Sequence, residues 1–138
     1  MSEVNLWKWL KPYLPQGHYS RVESPDTSPG IPDVQYRITK ADGFIELKDA
    51  RSKNPLIPFP DVDKGLHISQ LNWIRDQITF GGIVWVVARV GPLIYWIPGK
   101  NAPAFNGATM KRFKYLSTYV HGDKPDTRKL KQLLEGDF

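Results

Sequence analysis

Two carboxylates and one ammonium group stand at a spacing that suits metal-dependent hydrolysis. Asp33 follows a proline, and Glu46 and Lys48 lie further along, two residues apart. Residues two apart on a strand project from the same face, so Glu46 and Lys48 point together if this segment is extended. Carboxylate oxygens bind Mg²⁺, and a neighbouring ammonium group orients water or neutralises developing charge. These residue types predict a site for phosphodiester hydrolysis.

A β-hairpin is the element that must bring the three groups together. Residues 33–39 and 43–49 both have strand-like sequences, and Asp42-Gly43 is a tight-turn signal between them. The aspartate of the site then begins the first strand, opposite the other two groups on the second. The backbone carbonyl of Leu47, which lies between those two side chains, is a further candidate metal ligand.

This arrangement resembles the PD-(D/E)XK nuclease superfamily. The resemblance rests on Pro32-Asp33 followed by Glu46-Leu47-Lys48 in a loop, hairpin and Glu-X-Lys order. The local sequences GIPDV and GFIELK are most similar to VRR-type nucleases and to archaeal and phage Holliday-junction resolvases. The similarity covers about residues 21–97. It implies an α/β, restriction-endonuclease-like fold, in which helices flank a mixed β-sheet.

The resemblance also implies an activity and a set of roles. Members of this superfamily cut DNA with Mg²⁺, and Mn²⁺ is expected to substitute. Asp33 and Glu46 would hold the metal together with the Leu47 carbonyl, while Lys48 would assist the attacking water. Such proteins often carry a glutamine near the start of the next helix, which here is Gln70. The resolvases act on branched junctions as homodimers, so DNA and a second copy of the chain are the expected partners.

The source of an additional acidic ligand is open. Many members of the superfamily supply one from the first helix, but the apolar pattern of residues 4–14 contains no acidic residue. Glu3 precedes that pattern, and Glu23 follows it at the end of a predicted strand over residues 18–23. We favour Glu23 because it leads directly into the loop before the site. Whether one or two metal ions bind also stays open.

The other predicted elements complete an α/β pattern. Ser69 is the predicted N-cap of the second helix and Asp126 that of the last. Residues 51–65, which include three prolines, form an irregular loop, and the chain loosens again over 99–107. The predicted strands cover residues 18–23, 33–39, 43–49, 83–90 and 93–97, and the predicted helices cover 4–14, 69–80, 109–116 and 127–135.

Length and composition limit the class of protein. The chain has 138 residues, 41% of them hydrophobic, which fits one globular domain. We expect a core over about 17–98 and a basic helical extension over about 99–138. The absence of cysteine excludes a disulfide scaffold, a cysteine zinc site and a thiol nucleophile. No apolar run approaches a membrane span and no nucleotide-binding motif is present, so we expect neither a membrane nor a nucleotide cofactor. The expected location is the cytoplasm, or the host cytoplasm if the source is a phage.

The basic balance of the chain favours a polyanionic partner. Nineteen Lys and Arg residues against fourteen Asp and Glu residues give a formal net charge of +5. For each single cation, a solvated surface position is the alternative to a phosphate contact. The candidate phosphate contacts are Arg21, Arg51, Lys53, Lys64, Lys111, Arg112 and Lys114.

Two other functions fit the same residues. One is a sequence- or end-specific nuclease for repair or DNA degradation, and the other is a DNA-binding module that keeps the fold without cutting. We prefer a nuclease for branched DNA because of the resolvase-like local motif and because the short chain has no room for a separate specificity domain. Cleavage of junction and linear DNA separates the three functions.

Overall fold

The computed structural model describes residues 2–22, 30–50 and 56–137. Two 3₁₀ helices, Lys11–Tyr13 and Gly99–Ala104, connect longer elements. In chain order, the longer elements formed by these residues are α1 (Ser2–Leu10), β1 (His18–Arg21), β2 (Val34–Arg37), β3 (Asp42–Ala50), α2 (Ile68–Thr79), β4 (Val84–Val90), β5 (Leu93–Pro98), α3 (Met110–Leu116), β6 (Tyr119–His121) and α4 (Thr127–Leu134).

The strands form one six-stranded mixed sheet in the spatial order β1-β2-β3-β4-β5-β6. All neighbours pair antiparallel except β3 and β4, which run parallel and are connected through α2. A parallel pair needs such a crossover, because a tight turn cannot return the chain to the same end of the sheet. The predicted α/β class, a mixed sheet flanked by helices, is confirmed.

Each face of the sheet is covered by two helices and has its own apolar core. On the α1–α4 face, Leu6 and Leu133 pack against strand residues such as Val87. On the α2–α3 face, Ile74 and Phe113 pack in a second buried cluster. The strand β4 is therefore buried from both sides, as its nearly continuous apolar sequence predicts. None of the helices formed by the described residues is long and apolar enough to cross a bilayer.

The hairpin turn lies earlier than its sequence signal. Asp42 already pairs with Arg37 as the first residue of β3, and the Ile38 N–H donates to the Ala41 carbonyl at 2.9 Å. The predicted turn at Asp42-Gly43 is therefore wrong. A Cβ on Gly43 would stand 2.6 Å from the Tyr36 hydroxyl, so this glycine permits a close approach between strands instead of a turn.

The first helix begins before its apolar pattern. It starts at Ser2, so Glu3 lies in its first turn and does not precede the helix as expected. A carboxylate in this position interacts favourably with the helix dipole. The 3₁₀ helix Lys11–Tyr13 follows directly, because Pro12 lacks the N–H that a continuing α-helix would need. Pro12 thus ends the α-helix early.

The described residues after Pro98 complete both the sheet and the core. The predicted loose segment over 99–107 instead contains a 3₁₀ helix, and β6, which was not predicted, pairs with β5. Asp126 caps α4 as predicted, accepting hydrogen bonds from two backbone N–H groups of its first turn. At its other end, two carbonyls of α4 accept hydrogen bonds from the sheet: Tyr36 Oη donates to Leu134 O at 2.7 Å and Trp85 Nε1 donates to Leu133 O at 3.0 Å.

His121 is a buried histidine on β6. Its Nε2 accepts a hydrogen bond from Trp96 Nε1 at 3.0 Å, and its Nδ1 lies 2.7 Å from the Gly122 carbonyl oxygen. The proton therefore sits on Nδ1 and is donated to that carbonyl. Burial lowers the pKa of His121, because a charged ring loses its hydration in the core.

We expect acidification to destabilise the fold through His121. Its lowered folded-state pKa means that folding favours the neutral ring, so the stabilisation is complete above a pH of about 6.5 and is lost as the pH falls through the folded pKa. The Tm advantage of the wild type over His121→Gln should shrink as the pH is lowered from 8 to 5. The matched replacement His18→Gln, at an exposed position of β1, should change less over this range. A Tm difference independent of pH at His121 would contradict this expectation.

Candidate active site

Asp33 closes the end of the hairpin through its side chain. The last strand pair is Val34 opposite Ile45, so Asp33 lies one position beyond it, level with Glu46. Its Oδ2 accepts a hydrogen bond from the Leu47 N–H at 2.9 Å, where a longer β2 would have supplied a backbone carbonyl. The carboxylate of Asp33 is thereby fixed against β3.

The Leu47 carbonyl faces the same open space. The N–H groups of β3 alternate between its two neighbours, since Phe44 donates to Ile83 O beside β4 whereas Leu47 donates to Asp33. The N–H and C=O of one strand residue point to the same side, so the Leu47 carbonyl points beyond the end of β2. This placement suits its predicted role as a metal ligand.

Glu46 is a buried carboxylate on the α2–α3 face. Only 2% of its surface is exposed. Its strand neighbours Ile45 and Leu47 point to the opposite face of the sheet, so Glu46 points towards α2 and is covered by the first turn of that helix. Its Oε2 accepts a hydrogen bond from Gln70 Nε2 at 2.8 Å. Its Oε1 is buried without a hydrogen-bond partner among the described residues. Burying a carboxylate oxygen that has no hydrogen bond is costly, so this atom is the strongest indication that the site binds a cation.

Gln70 connects the site to the start of α2. The N-cap of this helix is His67, with an extended backbone, and not the predicted Ser69, which lies within the first turn. Gln70 is thus the third helical residue, from which a side chain reaches back to the N-cap. Its Oε1 accepts a hydrogen bond from the His67 N–H at 2.9 Å, which directs its amide nitrogen towards Glu46.

Lys48 lies beside the Glu46 carboxylate. Its Nζ is 3.4 Å from Glu46 Oε2 and 3.4 Å from Gln70 Oε1. The Lys48 side chain is 14% exposed, so its ammonium group lies at the border between the buried carboxylate and solvent. A cation in this position can contact both a metal-bound group and an anionic substrate.

The glycine before the site lets its loop approach α2. Gly30 has a φ of +92°, a conformation that strains other residues. A Cβ at this position would collide with the Ser69 carbonyl oxygen. This close packing brings the chain that carries Asp33 to the same helix end that carries Gln70.

The electrostatics of the site favour a positive ligand. Burial, followed by repulsion from the nearby Asp33 carboxylate, raises the pKa of Glu46 to about 8, although Lys48 and the Asp33 backbone act in the opposite direction. A cation bound beside Glu46 would lower the pKa of this carboxyl group, because a positive charge favours its ionised form.

We expect the metal-free protein to lose stability through Glu46 as the pH rises. The folded-state pKa of about 8 exceeds the ordinary value of 4.5, so the stabilising contribution of the protonated form is complete below pH 4.5 and is lost as the pH rises through 8. The free energy of unfolding of Glu46→Gln, taken relative to the wild type, should therefore rise by about 2 kcal/mol or more between pH 5 and pH 9 in EDTA. Urea unfolding at both pH values measures this, and an equal difference at the two would contradict it.

The remaining predicted site residues are not all brought to this centre. Glu23, Arg51 and Lys53 lie outside the described residues. Within the described ranges, no group of three or more histidine, aspartate or glutamate side chains converges, so Glu3 does not join the two carboxylates.

The candidate phosphate contacts divide between the two faces. Arg21 pairs with Val34 in register, so it projects towards the α1–α4 face, away from Glu46, and its Nε is buried without a described partner. Lys64 is exposed on the loop after β3. The three remaining cations are exposed on α3, which packs on the same face as the site: Lys111, Arg112 and Lys114.

A buried ion pair lies next to the site and was not predicted. Asp49 and Arg89 stand opposite each other on the parallel strands, and Arg89 Nε donates to Asp49 Oδ1 at 3.2 Å while a second guanidinium nitrogen donates to Oδ2. The side chain of Asp49 is fully buried. Strand alternation gives a signal for it, because Asp49 follows Ile45 and Leu47 on the core-facing register of β3.

Comparisons with known proteins give little sequence similarity. No protein-family model matches the chain, and no curated protein matches it. Among solved structures, Hjc of Archaeoglobus fulgidus, a Holliday junction resolvase, is similar with a TM-score of 0.49 and 19% sequence identity. The match covers 72% of this chain and 76% of that chain.

Proposed function

We propose that this protein is a metal-dependent DNA endonuclease that hydrolyses phosphodiester bonds, with a preference for branched DNA. The observation that supports it most is the buried Oε1 of Glu46 beside Asp33 and Lys48, an atom for which the described residues provide no hydrogen-bond partner. A structural ion pair would satisfy its carboxylate oxygens, whereas a metal ligand must keep one available.

The donor set fits Mg²⁺ or Mn²⁺. The ligands would be the carboxylates of Asp33 and Glu46 together with the Leu47 carbonyl. Mg²⁺ is commonly held by one or two carboxylates and keeps several waters, so two described carboxylates suffice. When bound, the metal would lower the pKa of a coordinated water and offset the negative charge of the phosphate.

The side chains of the site have distinct tasks. Lys48 would donate a hydrogen bond to the scissile phosphate or to the attacking water, since its ammonium lies at the solvent border of the site. Gln70 would act as a positioning residue, because it holds Oε2 of Glu46 and leaves Oε1 for the metal. Glu23, which lies outside the described residues, remains the proposed source of a further carboxylate.

The charge distribution supports DNA as the substrate. The chain carries a net charge of +5, and three cations of α3 are exposed on the face that carries the site. Lysine and arginine on such a surface bind phosphates without reading base sequence. Cutting both strands of a junction requires two active sites, so we propose a homodimer.

The test is cleavage of a labelled four-way junction and a matched linear duplex, each with Mg²⁺, Mn²⁺ or EDTA. We expect metal-dependent cleavage of the junction and little cleavage of the duplex. Equal cleavage of both substrates would keep the nuclease and remove the preference for branched DNA. Salt-sensitive binding without cleavage in either metal would overturn the enzyme and favour a non-cutting DNA-binding module.

A further inference from the structure

A cavity of about 570 Å³ opens at the carboxyl end of β3, next to the candidate active site. Ala50, the loop residues 57–60 and Lys64 line it, together with Asp49. Cavities of 300–1,000 Å³ are the usual size for small organic ligands. Asp33, Glu46, Lys48 and Gln70 do not line this cavity.

The cavity continues the line of the active-site side chains. Alternate residues of a strand face the same way, so Glu46, Lys48 and Ala50 follow one another along the α2–α3 face. Ala50 forms part of the cavity wall. A strand of DNA that ran along β3 from a phosphate at Lys48 would have its neighbouring nucleotide beside this opening.

Much of the wall is apolar, and the loop that forms it is held in place. Pro58 and Pro60 restrict the backbone of the loop, and between them the ring of Phe59 is buried against Phe105, with centroids 4.8 Å apart. Ile57 lies at the rim, 39% exposed. Such walls suit a flat apolar group that has left its stacked neighbours, as an unpaired base does.

The charge of the cavity suits the phosphate attached to such a base. Lys64 supplies an exposed ammonium group among the lining residues. Asp49 does not oppose it with an open carboxylate, because that side chain is fully buried and paired with Arg89. A base in the cavity would thus be accompanied by a cation for its phosphate.

We propose that this cavity binds one unpaired nucleobase next to the bond that is cut. The substrate class is then DNA with an unpaired nucleotide adjacent to the cleavage position, as at a branch or a bulge. This inference rests on the proposed function, whose preference for branched DNA it explains.

The experiment uses 2-aminopurine, a fluorescent base, placed in a one-nucleotide bulge of a short duplex. The full chain is titrated in EDTA, so that binding is measured without cleavage, against the same duplex fully paired. We expect the bulged duplex to bind about tenfold more tightly, with rising emission as the base leaves its stacked neighbours. Ile57→Asp should remove this preference, because it places a negative charge at the rim of the cavity.

Val62→Asp is the matched control. Val62 lies on the same loop and is also 39% exposed, but it does not line the cavity, so the preference should survive. Equal affinity for both duplexes, or an equal loss in both variants, would overturn the cavity as a base site. Cleavage of the same duplexes in Mg²⁺ is measured separately. If the duplexes are cut but the bulged one does not bind more tightly, this inference fails and the proposed nuclease stands. If the bulged duplex binds more tightly but neither duplex is cut, the proposed nuclease fails and the base site stands.

Discussion

A protein carrying Glu46→Gln is expected to cleave DNA at least about 10³-fold more slowly than the wild type while keeping its fold. Glutamine has the shape of glutamate and can still accept the hydrogen bond from Gln70. It lacks the negative charge that a divalent metal requires. Single-turnover cleavage in saturating Mg²⁺ measures the loss, and circular dichroism checks the fold.

Two further variants separate metal binding from general damage. Glu135→Gln makes the same chemical change beside the β2–β3 turn, away from the site, and should cleave at the wild-type rate. Gln70→Ala should lower the rate by about 10–100-fold and raise the Mg²⁺ concentration needed for half-maximal cleavage, because it releases Glu46 without removing it. A wild-type rate for Glu46→Gln would exclude this residue as a ligand.

Arg89→Met is expected to lower the free energy of unfolding by about 3–5 kcal/mol. The change leaves the fully buried carboxylate of Asp49 without its guanidinium partner. Combining it with Asp49→Leu should recover part of the loss, since the buried charge is then absent. Urea unfolding of the two variants measures both effects.

The exposed pair between Arg37 and Asp42 provides the matched control. Its atoms are 3.0 Å apart, but the side chains are 66% and 63% exposed. Water already solvates these charges, so Arg37→Met should cost less than about 1 kcal/mol. Equal losses for the two arginine variants would mean that burial does not set the strength of the pair at Asp49.

The strands of the site were predictable from local sequence. Period-two alternation places Glu46 and Lys48 on one face whatever the tertiary structure, and the extended hairpin places Asp33 opposite them. The continuous apolar run that became β4 likewise requires cover on both sides. The catalytic roles of Asp33, Glu46 and Lys48 stay predictions.

Features that depend on distant partners were not predictable in the same way. The three residues of β6 form a strand only because β5 lies beside them. The N-cap of α2 is His67 instead of Ser69, because the Gln70 side chain accepts a hydrogen bond from the His67 N–H and stabilises a helix that starts at Ile68. The pair of Asp49 and Arg89 had a signal, a charge on each of two core-facing strand positions, but only the parallel register shows that they meet.

The hydrogen bonds that hold the end of α4 bear on how the chain folds during synthesis. Tyr36 and Leu134 are 98 residues apart, and Trp85 and Leu133 are 48 apart. The ribosome must therefore synthesise all six strands and then α4 before the α1–α4 core can close. Contacts of such long sequence separation slow folding and leave apolar strand faces open in the nascent chain. We expect the emerging polypeptide to need protection from aggregation until residue 134 has left the exit tunnel.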